Sequence, residues 1–229
     1  MIKENLSAVE KNILEASEKR QNDMTEKVNL IAVTKNHTVE EMREAIDAGA
    51  HLIGENRVQE AMEKHQKLGR DVKWHLIGHL QTNKVKHAVE IFDFIESVDS
   101  TKLANAINKE AAKIHKIQNV LVQVNLVKEE TKNGIYLEDL VPLLQYIDEL
   151  NSLKLNGLMF IAPNLDNLEE VRPMFKTMYT LFKRIQKMSF STADIKYLSM
   201  GMTHDYKIAV EEGANIVRVG TAIFGPRQY

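Results

Sequence analysis

Eight short apolar runs divide the chain at fairly even intervals, and their number and spacing limit the folds open to it. They cover residues 29–34, 51–54, 73–77, 94–98, 120–125, 155–160, 195–199 and 216–219, and most are rich in Val, Ile and Leu. Runs of that length and composition predict β-strands. Between them, segments such as 39–48, 101–114, 137–150 and 168–188 repeat apolar residues with the period of an α-helix. Strands that are apolar on nearly every residue need cover on both faces, which a parallel sheet obtains from the helices that join its strands. Eight such units predict an α/β chain folded as a closed (β/α)8 TIM barrel more readily than an open doubly wound sheet.

Two further features fit that architecture. Ahead of the first strand, Ile2, Leu6, Val9, Ile13 and Ala16 fall at helical spacing and predict an extra N-terminal helix, packed on its own barrel or offered to a partner. The stretch from Ala45 to Ala50, with Gly49, is echoed by the stretch from Ala209 to Ala214, with Gly213, and each precedes a strand. Both glycines sit where a helix is expected to end in a left-handed residue.

No Pro-, Gly- or Ser-rich linker interrupts the sequence, so residues 1–229 read as a single domain. A net charge of −2 argues against a nucleic-acid binder, which needs a basic face. With no cysteine, thiolate nucleophiles, thiolate metal sites and disulfides are excluded. The N-terminus lacks the apolar centre of a signal peptide and no run is long enough to span a bilayer, so a cytoplasmic protein is expected. His75 and His79 are four apart but straddle a strand and its loop, and no metal site is expected there. The ten methionines read as core filler.

Active sites of such barrels form at the C-terminal ends of the strands, with phosphate often bound after the seventh and eighth. At those two ends stand Ser199, Gly201 and Met202, then Gly220 and Thr221. Glycines let backbone N–H groups approach an anion, and hydroxyls add donors, although glycines after strands are also common turn residues. Lys35 ends the first run, on the face of Ile31 and Val33, where its amine could serve as a nucleophile toward an aldehyde or simply be solvated. Arg218 shares a face with Ile216 and Gly220. It suits either a structural ion pair or a contact to a ring nitrogen or anionic ligand group, which it would meet as a donor only.

Ordered blocks run along nearly the whole sequence: Ala32-Val33-Thr34-Lys35, Gly54-Glu55-Asn56 with Val58-Gln59-Glu60, Trp74 through Lys84, and Val124-Asn125 followed by Glu129, Lys132 and Gly134. Gly157-Leu158-Met159, Leu198 through Met202, and Val217 through Gly225 complete them. In these blocks the chain resembles the YggS/PROSC family of pyridoxal phosphate homeostasis proteins, which look like the barrel domain of bacterial alanine racemase standing alone. The resemblance implies that pyridoxal 5′-phosphate is held as a Schiff base on Lys35, with Asn56 against the ring face and Arg218 at the pyridine nitrogen. It assigns the phosphate to Ser199, Gly201, Met202, Gly220 and Thr221. Asn36-His37-Thr38 and Thr203-His204 depart from the residues usual at those places.

The resemblance also implies a role in cofactor homeostasis: buffering pyridoxal phosphate or delivering it to apo-enzymes, as a monomer. A two-base racemase needs a second acid/base on the opposite cofactor face, a group that resembles a tyrosine from a separate C-terminal β domain in alanine racemase. This chain ends at Tyr229 soon after the eighth strand, so weak catalysis is expected. A small pyridoxal-phosphate-dependent racemase and a cofactor-free Schiff-base aldolase are the alternatives. In the polar segment 128–134, Lys132 is read either as a transient aldehyde holder or as part of a solvated loop.

Overall fold

The Val-, Ile- and Leu-rich runs form eight strands: β1 Asn29–Val33, β2 Leu52–Glu55, β3 Lys73–Leu76, β4 Phe94–Val98, β5 Gln118–Val124, β6 Leu153–Phe160, β7 Tyr197–Met202 and β8 Ile216–Val219. In the computed structural model, which describes residues 1–127 and 133–226, they pair in parallel in sequence order, and β8 closes onto β1. The barrel and its N-terminal helix are those expected from the pattern of apolar runs.

Strand alternation sorts side chains into two cores. Ile31, Val33, Ile77, Leu121, Met159 and Ile216 fill the barrel interior. The outward-facing set, including Ala32, Ile53, Trp74, Ile95 and Val217, is covered by helices. Those that follow β1 to β4 are α2 Val39–Asp47, α3 Val58–Leu68, α4 Val85–Ile91 and α5 Thr101–Lys113. After β5 to β8 come α6 Leu137–Asp148, α7 Arg172–Gln186, α8 Tyr206–Glu211 and α9 Thr221–Phe224. The first helix, α1 Ile2–Glu18, buries Ile2, Leu6, Val9, Ile13 and Ala16, the face read from its spacing. Asn5 and Arg20 tie this end of the chain to the backbone of Ile223, Val210 and Ala214, so α1 packs on its own barrel.

The αβ echo has a shared backbone cause. Gly49 and Gly213 have φ of 112° and 104°, and in both places the next residue's N–H bonds five residues back while the glycine's bonds three back. That paired pattern terminates a helix and turns the chain into the next strand.

Several boundaries shift from the expected ones, and two of the shifts have a clear physical cause. Segment 168–188 is not one helix: a 3-10 turn, Leu168–Val171, precedes α7, because Pro173 lacks an N–H and is tolerated only in a helix's first turn. The seventh strand runs to Met202 rather than ending at Ser199, with an irregular register between Ser199 and Met202 where Gly201 takes φ 94°. Among the described residues no helix is long and apolar enough to cross a membrane.

Gly157 gives a direct test of strand packing. Its φ is 149°, and a Cβ there would lie 1.8 Å from the carbonyl oxygen of Tyr197 on β7, whereas a Cβ on Gly49 would meet open space. Gly157→Ala is expected to destabilise the fold by more than about 3 kcal/mol, against about 1 kcal/mol for Gly49→Ala, which carries backbone strain alone. Urea denaturation of both variants measures the difference, and equal losses would show that β6 can move away from β7.

Candidate functional site

At the C-terminal mouth of the barrel a cavity of about 200 Å³ opens between the ends of β1, β2, β7 and β8. Its size is below the roughly 300–1,000 Å³ of pockets for drug-sized ligands, so it suits one small molecule. A wider groove of about 690 Å³ lies at the opposite end, between α1 and the starts of β1 and β2. Catalytic chemistry on this fold belongs to the C-terminal face.

Lys35 enters the cavity from the turn that follows β1, beside Val33 and His37. It stands beyond the strand, and Asn36 after it takes the left-handed φ of 63°. The chain then enters α2 through a capping box, in which the Thr38 hydroxyl accepts from Glu41 N–H and the Glu41 carboxylate accepts from Thr38 N–H. His37 stacks on Phe224 of α9 at 4.6 Å and its Nδ1 lies 3.4 Å from Glu41.

Asn56 follows β2, and its Oδ1 is buried with no hydrogen-bond partner within the protein. A buried amide oxygen left in that condition carries a desolvation cost of about 1–3 kcal/mol unless a ligand or water meets it. Its backbone is held close by Gly78, where a Cβ would come within 2.3 Å of the Asn56 carbonyl oxygen.

Beside β1 in the closed barrel stand the turns after β8 and β7. Met202 donates its N–H to Asp205 Oδ1 at 2.6 Å, and Gly220 donates to Thr203 Oγ1 at 3.2 Å. The Thr203 and Thr221 side chains line the cavity with Met202, His204 and Gly220. Thr221 and Ala222 open α9, and N–H groups in a helix's first turn have no intrahelical acceptor.

The floor is polar. Arg218 is buried and lines the cavity, donating through Nη1 to Ser199 Oγ at 2.6 Å and through Nη2 to the Phe160 carbonyl at 2.9 Å. Ser199 in turn donates to Glu96 Oε2 at 2.6 Å, and the other Glu96 oxygen lies 2.8 Å from His75 Nδ1. Burial acts to raise the Glu96 pKa, but hydrogen bonds and charge from His75, with Arg218 and Ser199, outweigh it and hold the carboxyl below its ordinary 4.5. Burial draws Arg218 below the usual arginine value, opposed by the negative charges of Glu96 and Asp205. His75 is stacked on Phe94 at 4.7 Å with the rings nearly parallel.

Of the residues singled out from sequence, Lys35, Asn56, Met202, Arg218, Gly220 and Thr221 meet around this cavity. Ser199 and Gly201 do not. The Ser199 hydroxyl is fully buried, donating to Glu96 and accepting from Arg218, and it does not line the cavity. Gly201 is required by packing: its φ is 94° and a Cβ would meet Ala209 Cβ at 2.5 Å and Tyr206 Cα at 2.9 Å, so it lets β7 approach α8. His37, Thr203, His204, Glu96 and His75 were missed as site residues. Glu96 had left a signal, since an acid in the apolar run Phe94-Ile95-Glu96-Ser97-Val98 must find a buried partner. Lys132 lies outside the described residues.

A family model described as alanine racemase, N-terminal domain, matches residues 5–228. The pyridoxal phosphate homeostasis protein of Aquifex aeolicus (strain VF5) is 44% identical over 201 residues, covering 87% of this chain and 87% of its own length. Its namesake from Pasteurella multocida (strain Pm70) is 38% identical over 231 residues, covering 100% and 98%. Among solved structures, PipY of Synechococcus elongatus PCC7942 with PLP bound superimposes with a TM-score of 0.85 at 36% identity, covering 98% of this chain and 100% of that one. The chain belongs to the alanine racemase N-terminal domain family, in the group of pyridoxal phosphate homeostasis proteins.

Proposed function

We propose that this protein binds pyridoxal 5′-phosphate through a Schiff base on Lys35 and buffers or delivers it to apo-enzymes, as a cytoplasmic monomer. The observation that carries the reading is the convergence of three chemistries on one small cavity. An amine stands at Lys35, a guanidinium at Arg218, and hydroxyl and N–H donors at Thr203, Gly220 and Thr221. PipY with its bound PLP, a relative over nearly the whole chain, adds support.

The residues fit that group. Lys35, when unprotonated, would supply the nitrogen for a C=N bond to the cofactor's aldehyde carbon, whose oxygen would leave as water. Arg218 can only donate, so it suits a ring nitrogen that carries no proton. Asn56 supplies the buried amide whose oxygen has no protein partner. Thr203, Thr221 and the opening N–H groups of α9 offer donors for a phosphate. Bound in this way the cofactor would offer an electrophilic imine carbon and, with its ring nitrogen unprotonated, only a weak electron sink, which suits carriage better than carbanion chemistry.

Purified protein given pyridoxal phosphate is expected to turn yellow, and borohydride to bleach it while fixing one cofactor on the peptide containing Lys35. Lys35→Ala is expected to lose that covalent adduct. Trapping on a different lysine would overturn the assignment. A colourless protein that takes up no cofactor and cleaves a sugar phosphate would fit the cofactor-free aldolase instead. Recovery of activity by an apo-enzyme mixed with the loaded protein reads delivery.

Arg218 has to keep its charge inside the barrel, and Glu96 is the carboxylate that balances it. Glu96→Gln is expected to cost about 3–5 kcal/mol at neutral pH, because it leaves a buried cation uncompensated. The native Glu96 pKa lies below 4.5, so its stabilisation is fully present above that value and is lost as pH falls through the lower folded value. The stability gap between native protein and variant should therefore shrink below pH 4.5. A gap that stays constant from neutral pH into that acid range, measured in urea, would remove Glu96 as the balancing charge.

A further inference from the structure

Lys35 sits in a four-residue turn, 34–37, closed by the His37 N–H donating to the Thr34 carbonyl at 3.0 Å, and both neighbours of Lys35 are also held from one helix. Lys64, on α3, donates through Nζ to the Thr34 carbonyl at 2.6 Å. Glu60, one turn earlier on the same helix, accepts the Asn36 N–H at 2.6 Å through Oε1. The two side chains are themselves paired at 2.6 Å, and Lys64 also meets Glu55 Oε1 at 2.7 Å. The Thr34 hydroxyl closes the set by donating to the same Glu55 oxygen at 2.6 Å.

The arrangement is unusual for a helix of this kind. Lys64 is only 7% exposed and Glu55 is fully buried, and lysine is almost never so buried without partners. An ammonium has three N–H donors, and here all three find an acceptor. A buried ionic group of this sort seldom adds stability, since well-packed apolar residues in its place are often neutral or better. Its effect is geometric. It fixes a carbonyl on one side of Lys35 and an N–H on the other, across a turn whose central backbone is left-handed at Asn36.

We propose that Lys64, with Glu55 and Glu60, is a positioning device for Lys35, holding the turn 34–37 so that the lysine amine reaches the cavity. This rests on the reading of Lys35 as the cofactor-linking residue. Lys64 touches neither cavity nor ligand; it acts through the backbone on either side of the residue that does.

The test uses Lys64→Met, Lys64→Arg and Glu60→Ala in the full chain. The first readout is the rate at which apo protein forms the borohydride-trappable link at Lys35 with added pyridoxal phosphate. Lys64→Met and Glu60→Ala should slow it by about ten- to a hundredfold, in the range of a displaced reacting group. Lys64→Arg, which keeps the charge and its donors, should restore most of the loss. The second readout needs no cofactor: amide hydrogen exchange at Asn36, accepted by Glu60 in the native protein, should accelerate in Glu60→Ala while exchange in β1 is unchanged. Glu60 is only half-buried, so this variant keeps the fold even where Lys64→Met does not. Linkage rates within twofold of native in both variants, or unaltered Asn36 exchange in Glu60→Ala, would overturn the proposal. If native protein forms no link at Lys35, the underlying reading fails first and takes the positioning role with it. A normal native rate with unaffected variants sinks the positioning role alone.

Discussion

Arg218 brings a permanent charge into the interior of a closed barrel, and the polar part of the structure is arranged around it. A guanidinium cannot shed its proton there, so it must be balanced and hydrogen-bonded. Glu96 on β4 supplies the charge, Ser199 on β7 bridges the two, and the Phe160 carbonyl at the end of β6 takes another N–H. Three strands thus commit inward or terminal groups to the cation on β8. His75 joins from β3, held by Glu96 and by Phe94. Alongside these polar groups the interior cluster is apolar, with Ile31, Leu121, Met159 and Ile216. The floor of the cavity is therefore polar and cationic, while the apolar cluster is an ordinary packed core.

The rim follows a different rule, in which backbone geometry decides. Gly78 lets the end of β3 press against Asn56, and Gly201 lets β7 press against α8. The Met202 N–H is taken by Asp205 and the Gly220 N–H by Thr203. The Thr203 hydroxyl accepts from Gly220 and keeps its own proton, so in the proposed reading it could donate to an anion at the rim without giving up that internal bond.

Much of this was legible in the sequence, for identifiable reasons. The barrel could be read because most strands are largely apolar, each intervening segment keeps helical spacing, and eight such units close into a barrel more readily than they spread into an open doubly wound sheet. Lys35, Arg218, Gly220 and Thr221 could be located because the fold fixes which strand ends face the mouth. Depth along a strand was not legible. Ser199 and Thr203 are both hydroxyls near the end of β7, but the irregular register at Gly201 carries the strand past Ser199, burying it and leaving Thr203 at the cavity. The clamp on Thr34 and Asn36 was invisible for another reason: Lys64 and Glu60 look like a solvated i,i+4 pair on α3, and only tertiary packing reveals that the lysine is buried.

Two buried ionic clusters therefore flank the cavity, and each ends on a group next to a cavity-lining cation. One is inside the barrel and touches the Arg218 guanidinium itself. The other is between β2 and α3 and touches the chain on both sides of Lys35. Neither is where stability alone would put charge, since desolvation opposes both and burial already pushes the Glu55 carboxyl above its ordinary range. Directional contacts explain their placement better. Apolar packing is non-directional and would allow a long amine or a planar guanidinium several rotamers; an acceptor at 2.6–2.9 Å selects one position for Arg218 and one path for the backbone around Lys35. In the proposed reading, a cavity this small would tolerate little drift between the Lys35 amine and the donors for a phosphate, and these two clusters would keep both ends of one small ligand within reach at the same time.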